Sequence, residues 1–388
     1  MNKYISQLRI TEQHTTTSSV SKRIFKDEKV ADKCRILMIG MHLTKTRGGI
    51  TTLITEILKS SLKDEFDFIY IESQAEDFGK FSKAFLAAQA ILRFIWSCFW
   101  KHPKLIYVHL GSNASLYREA IFIYLAKIFG KKVIAHFHAG DVDNYYPFQS
   151  KTGQKFIRRA INLSDTVIAV SAESAKQLRN ITDSANISIV PNAIDTTVFD
   201  NPSPKRKNNE AVKLLFVGAI GKLKGERDLI AALAILRDGK PNLKVSFLGY
   251  GAENLKTYCE ELGVTDFIEF LGAVSLAERI SFFQNADIFV LPTYAEAMPI
   301  SVIEAMAAGL PVISTSVGGI PELIEDGKDG LLFSPGDVNS LAEKISVLLN
   351  DKDMRIKIGN KARQKVHEQM DFSQYVEKLR TILIKYNG

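Results

Sequence analysis

Cysteine is scarce in this 388-residue chain: Cys34, Cys98 and Cys259 are odd in number and far apart. That pattern excludes a disulfide framework or a thiolate metal cluster and fits a reducing compartment. The first thirty residues hold no apolar run, so no signal peptide is expected. A membrane-spanning run is missing too, since the most apolar segment, Phe85 to Trp100, is short and interrupted by Gln89 and Arg93. No nucleic-acid motif occurs, and no strand interleaves basic with aromatic residues, so nucleic acid is not expected as a partner. What remains is 46% hydrophobic and 24% charged, an ordinary globular enzyme composition with length for two or three domains. The expected location is cytoplasmic, with the inner face of the membrane as the alternative site of work.

The formal charge of +7 is unevenly placed: residues 1–200 carry an excess of Lys and Arg, and the remainder is near balance. A basic first half faces a phosphorylated substrate, an anionic membrane or simply water. Between Phe85 and Trp100, flanked by Lys80, Lys83, Lys101 and Lys104, two readings stand. One is a helix packed between two strands; the other is an in-plane interfacial helix with Trp96 and Trp100 at headgroup level.

Residues 1–33 are polar and without periodicity, and read as a mobile leader. Order begins with the strand Arg35–Gly40, a turn at Gly48 and Gly49, and a helix from Thr51, the opening of a Rossmann-like unit. Apolar strands at 66–71, 105–109, 132–136, 166–170 and 187–190 alternate with helices. A Pro-, Asn- and charge-rich break at 201–211 is the interdomain linker, and the β/α pattern restarts at Val212 and runs to about 370. The expectation is α/β: two Rossmann-like domains, 34–200 and 212–370, with parallel sheets facing across a cleft. A final helix, 371–388, would pack back on the first domain.

The densest chemistry lies between strands Ile288–Leu291 and Val312–Ser314, where Glu296 and Glu304 flank the start of a helix and Gly318-Gly319 follows. Pro299 suits the first helical position, leaving the N–H groups of Ile300 and Ser301 free for an anion. Glu304, farther along the helix, is spaced to reach a diol such as a ribose, and Glu296 is placed for hydroxyls on the other side of the anion. Carboxylates, a helix N-terminus and a glycine turn together suit a ligand that is both diphosphate and polyol.

These residues, with Val317-Gly-Gly-Ile-Pro-Glu322, Asp326–Asp337, Val190–Asp195 and Val167–Ser171, resemble the group 1 family of nucleotide-sugar-dependent retaining glycosyltransferases with the GT-B fold. The resemblance implies sugar transfer from a nucleotide diphosphate donor to a glycan or lipid-linked acceptor in cell-surface polysaccharide assembly, with no cofactor and no metal. It implies that Glu304 holds the ribose and that Glu296, with backbone N–H groups near Met298 and Ile300, holds the donor sugar. Gly318 and Gly319 would admit the donor closely, and Gly48 and Gly49 would do so from the opposite domain. Lys224 would neutralise the leaving diphosphate, Val274 would seat the base, and His138 would face the reaction centre, with His136 on the same side of the strand as its competitor. His138, Lys224 and Glu296 form the expected catalytic set.

There are departures. The family places an arginine where this chain has Ala219, leaving Lys222 as the substitute cation, and Ala297 replaces a usual glycine. His136, His138, Asp141 and Asp143 also carry metal-ligand atoms, but Lys224 would do the metal's electrostatic work. An epimerase of the same fold and a non-catalytic subunit are the alternative functions.

Overall fold

The computed structural model describes residues 33–388 except 45, 47, 76–78, 113, 141, 184–185, 201–209, 222, 240, 254 and 388. Residues 1–32 of the expected leader, most of the linker, and the site candidates Lys222 and Asp141 lie outside the described residues.

Twelve strands among the described residues form two sheets. The first contains β1 (Cys34–Met41), β2 (Phe66–Gln74), β3 (Leu105–Leu110), β4 (Lys132–Phe137), β5 (Thr166–Ala169) and β6 (Ile187–Ile189). The second contains β7 (Val212–Val217), β8 (Leu243–Leu248), β9 (Ile268–Gly272), β10 (Ile288–Leu291), β11 (Val312–Thr315) and β12 (Leu331–Phe333). Their orders are β2-β1-β3-β4-β5-β6 and β12-β11-β10-β7-β8-β9, and all pairings are parallel. The winding direction reverses between β1 and β3 in one sheet and between β7 and β10 in the other. Crevices for ligands open at the carboxyl ends of strands at such reversals.

The strands read as apolar runs because helices cover both faces of each sheet. In β1 the alternation separates two layers: Ile36 and Met38 pack with Leu53, Ile54 and Ile57 of the helix Gly49–Lys59. Leu37 and Ile39 pack on the other side, in a layer that includes Phe94 and Phe122.

Several contacts tie the two sheets together. Tyr375, Leu379 and Leu383, spaced four apart, bury one stripe of the C-terminal helix Phe372–Asn387. Arg380 of that helix pairs with Glu65 at 2.8 Å and reaches the Ser61 hydroxyl at 3.2 Å. The Asn192 side-chain amide donates to the Met298 carbonyl at 2.8 Å. The Glu322 carboxylate accepts from the N–H groups of Ala172 and Glu173 (2.8 and 3.0 Å), capping the helix Ala172–Ile181 from the other side of the cleft. Among the described residues no helix is long and apolar enough to cross a membrane.

Candidate active site

The chain leaves β7 through Gly218 and turns at Gly225 into the helix Glu226–Arg237. Gly225 has φ of 71°, and a Cβ there would lie 1.8 Å from the Pro292 carbonyl oxygen, so only glycine brings this turn onto the end of β10. The Thr293 hydroxyl (2.7 Å) and the Tyr294 N–H (2.8 Å) both donate to the Leu223 carbonyl. These contacts hold Lys224, the next residue, against the 292–299 loop, where its ammonium pairs with Glu296.

Three glycines bracket the Glu296–Ala297 backbone. Gly318 has φ of 53° and a Cβ there would meet the Glu296 carbonyl oxygen at 1.6 Å; one at Gly319 would meet the Ala297 oxygen at 2.1 Å. From the first sheet, a Cβ at Gly140 would lie 2.2 Å from the Ala297 nitrogen. The peptide that carries Glu296 is therefore clamped from both sides of the cleft.

Pro299 proves to be the N-cap of the helix Ile300–Ala307 rather than its first residue, with extended ψ of 118°. Its fixed φ still aims the chain into the helix, and the Ile300 and Ser301 N–H groups, first of the helix, have no acceptor within it. Glu304 lies one turn on and is buried, its Oε1 paired with Arg279 of the helix Leu276–Asn285. Its Oε2 is buried without a hydrogen-bond partner among the described residues. Burial raises the Glu304 carboxyl above the usual range, and Arg279 partly opposes that rise.

His138 follows β4 directly. Pairing of β3 with β4 sets His109 opposite His136, and His138 Nε2 lies 3.0 Å from His109 Nδ1. The Tyr107 hydroxyl lies 2.7 Å from His136 Nδ1. Burial lowers the His138 imidazole to about 3 and holds His109 and His136 well below the usual range, so all three are neutral at physiological pH. Their ligand-type atoms gather within 4.8 Å of one another, the one such group among the described residues.

A cavity of about 310 Å³ is lined by Gly48, Gly49, His138, Lys224, Glu296 and Glu304, with Met298, Ile300, Ala219 and Arg279 among its other walls. A second, of about 500 Å³, shares His138, Lys224, Glu296 and Ala297 and extends into the first sheet toward Lys83 and Arg118. A third, of about 520 Å³, meets the first at Gly48 and Arg279 and holds Val274 and Ser275. The catalytic candidates thus stand at the junction of two cavities, and Val274 lines a space beyond Arg279.

Residues 198–365 match the family described as Glycosyl transferases group 1, and residues 48–198 match Glycosyltransferase Family 4. The chain is 30% identical over 277 residues to N-acetyl-alpha-D-glucosaminyl L-malate synthase from Bacillus anthracis, covering 68% of this chain and 71% of that protein. The chain belongs to the group 1 glycosyltransferases. It is also similar to D-inositol 3-phosphate glycosyltransferase from Paenarthrobacter aurescens, with 32% identity over 46% of this chain. That match spans about half of the relative, 47% of its length. In fold the chain is similar to Anabaena HepE in complex with UDP-glucose (TM-score 0.72, 18% identity, 90% of this chain and 99% of that one). The two parallel sheets are those of the GT-B fold.

Within this group 1 glycosyltransferase, the glycines of the site differ in what they face. Gly318 and Gly319 are not among the residues lining the cavity of about 310 Å³; the space a side chain would take is filled by the Glu296 and Ala297 carbonyls. They shape the Glu296 loop from the second sheet. Gly49 likewise abuts Ile300, whose Cδ1 would lie 3.0 Å from an added Cβ, whereas Gly48 faces open space. Sequence reasoning missed Arg279, His109 and Gly140. The strand register that pairs His109 with His136 offered one signal, since both lie near the carboxyl ends of adjacent strands. Arg279 carried no local signal.

Proposed function

We propose that the chain transfers a sugar, with retention of configuration and without a metal, from a nucleotide diphosphate donor to a hydroxyl of a glycan or lipid-linked acceptor. The observation that carries this reading is the pair of cavities sharing His138, Lys224 and Glu296. The donor fits the smaller one: its diphosphate at the Ile300 and Ser301 N–H groups and Lys224, its ribose diol at Glu304 Oε2, which is buried and unpartnered. HepE, of similar fold, binds UDP-glucose, which supports a nucleotide sugar. The base would occupy the adjoining space by Val274. The acceptor would enter the larger cavity, and a role in cell-surface polysaccharide assembly at the inner membrane face fits the basic surroundings.

In the transfer the bond from the sugar C1 to the β-phosphate oxygen breaks. The acceptor oxygen bonds C1 on the same face, and its proton passes to the departing phosphate. Lys224 stabilises the charge that develops there, and Glu296 and neutral His138 orient the sugar hydroxyls. The test is a thermal-shift panel of UDP-, GDP- and ADP-sugars, followed by nucleotide release with membrane-derived acceptors. Lys224→Ala should lower turnover by about 10²–10³-fold. A new sugar nucleotide formed from donor alone would instead identify an epimerase, and undiminished function in Lys224→Ala would identify a non-catalytic subunit.

A further inference from the structure

The helix Lys80–Trp100 carries an apolar stripe that nothing among the described residues covers. Phe81, Phe85, Leu92, Trp96, Phe99 and Trp100 are all exposed, Phe81 at 94% and Trp100 at 67%. Their spacing of four, seven, four, three and one residues keeps them on one face at ~100° per residue, along ~28 Å of helix. The opposite face is committed to the domain: Ala90, Phe94 and Cys98 are buried, and Phe94 packs on Phe122 at 5.6 Å. The helix therefore lies along the protein surface and cannot leave it to cross a bilayer without exposing core. Ile128 of the neighbouring helix Ala114–Ile128 is also exposed. A patch of this extent marks an interaction surface.

Charge identifies what covers it. From Phe78 to Arg118 the sequence has no Asp or Glu, but has Lys80, Lys83, Arg93, Lys101, Lys104 and Arg118. Lys101 lies over the Trp96 ring at 5.4 Å, and Trp96 and Trp100 stack at 6.1 Å. Indole rings beside cations, on a helix lying flat, are the chemistry of the headgroup layer of an anionic bilayer. We infer that this face docks on an anionic phospholipid membrane. Lys83, between Phe81 and Phe85, lines the larger of the two catalytic cavities. Docking therefore sets the acceptor side of the cleft beside the lipid headgroups and favours an acceptor carried on a membrane lipid. That last step rests on the transfer reading; docking itself does not.

The chain's two tryptophans both lie on this stripe, so its intrinsic indole fluorescence reports on this face alone. The experiment titrates the full chain, without donor or acceptor, with vesicles of phosphatidylcholine alone or of phosphatidylcholine with phosphatidylglycerol. The expected result is a blue shift with the anionic vesicles, quenched by brominated acyl chains and weakened by salt. Phe81→Ser with Phe85→Ser, which leaves both reporters in place, should weaken vesicle affinity at least about tenfold without lowering the melting temperature. No shift with either vesicle overturns the inference, as does equal binding to neutral vesicles. A blue shift that grows with protein concentration in the absence of lipid overturns it in favour of a second copy of the chain. Because binding is read without turnover, its failure is distinguishable from failure of the transferase reading.

Discussion

Replacing Gly140 by alanine tests whether contact across the cleft assembles the site. The added Cβ would stand 2.2 Å from the Ala297 nitrogen, 2.3 Å from the Glu296 carbonyl carbon and 2.8 Å from the Glu296 Cα. All three are backbone atoms, held in turn by Gly318 and Gly319, so no side chain can swing aside. Restoring ordinary contact requires the two segments to part by ~1 Å. Neither core is touched, so the easiest relief is to open the cleft, which moves His138, two residues away, from Lys224 and Glu296. A displacement of ~1 Å in a catalytic constellation costs up to ~100-fold in rate. We therefore expect Gly140→Ala to lose about 10- to 100-fold in turnover and to show a larger radius of gyration by small-angle scattering. Its melting temperature should move little. Gly79→Ala, whose added methyl meets no described residue beyond its chain neighbours within 4 Å, is the steric control. Wild-type turnover in Gly140→Ala, or a large loss of melting temperature with normal activity per folded molecule, would refute the argument.

Other perturbations separate the remaining parts. Gly318→Ala adds ~1–2 kcal/mol of left-handed backbone strain to its clash with Glu296, so calorimetry should show a melting temperature lower by several degrees and little donor-induced stabilisation. Glu304→Gln should weaken donor binding about tenfold or more by titration calorimetry, through loss of a charged acceptor. Arg279→Met strands a buried carboxylate and should cost about 3 kcal/mol in denaturant unfolding. The histidines set a pH dependence. In the unfolded chain they titrate near 6.5, but burial keeps them neutral in the fold, His138 down to about 3. Stability is thus full above about pH 6.5 and falls as pH drops toward 3, by ~2 kcal/mol at pH 5 for His138 alone. The raised carboxyls of Glu304 and Glu119 act in the opposite sense and offset part of the loss. Melting temperatures from pH 8 to 5 should decline, with a shallower slope in His138→Gln; a flat wild-type profile would contradict the assignment.

The strands were readable because parallel strands covered on both faces are written as contiguous apolar runs; β3 and β10 are buried throughout. The second-sheet part of the site was readable for a similar reason, since Glu296, Pro299 and Glu304 sit in one strand–loop–helix segment whose geometry is local. What was hidden depends on long-range placement. Arg279 reaches Glu304 across 25 residues of sequence, and Gly140 meets Ala297 only because two separate sheets face one another. The Gly318-Gly319 pair marks a close approach in the sequence, and the structure shows that the Glu296 and Ala297 carbonyls take part in it. For the Lys80–Trp100 helix the sequence left two readings; the structure packs its inner face and leaves the outer one exposed among the described residues.

The ion pair between Lys224 and Glu296 joins the two groups assigned to opposite halves of the proposed donor. The pair engages Oε1 of the carboxylate and one donor of the ammonium, so each group keeps capacity for a further partner. Under the proposed chemistry, a diphosphate arriving at Lys224 competes for the ammonium and thereby releases Glu296 toward the sugar attached to that same diphosphate. Free monosaccharide brings no anion to break the pair, and nucleotide alone releases the carboxylate with nothing for it to hold. Under that reading the pair couples recognition of the two halves of the donor and favours a diphosphate and a sugar that arrive as one molecule.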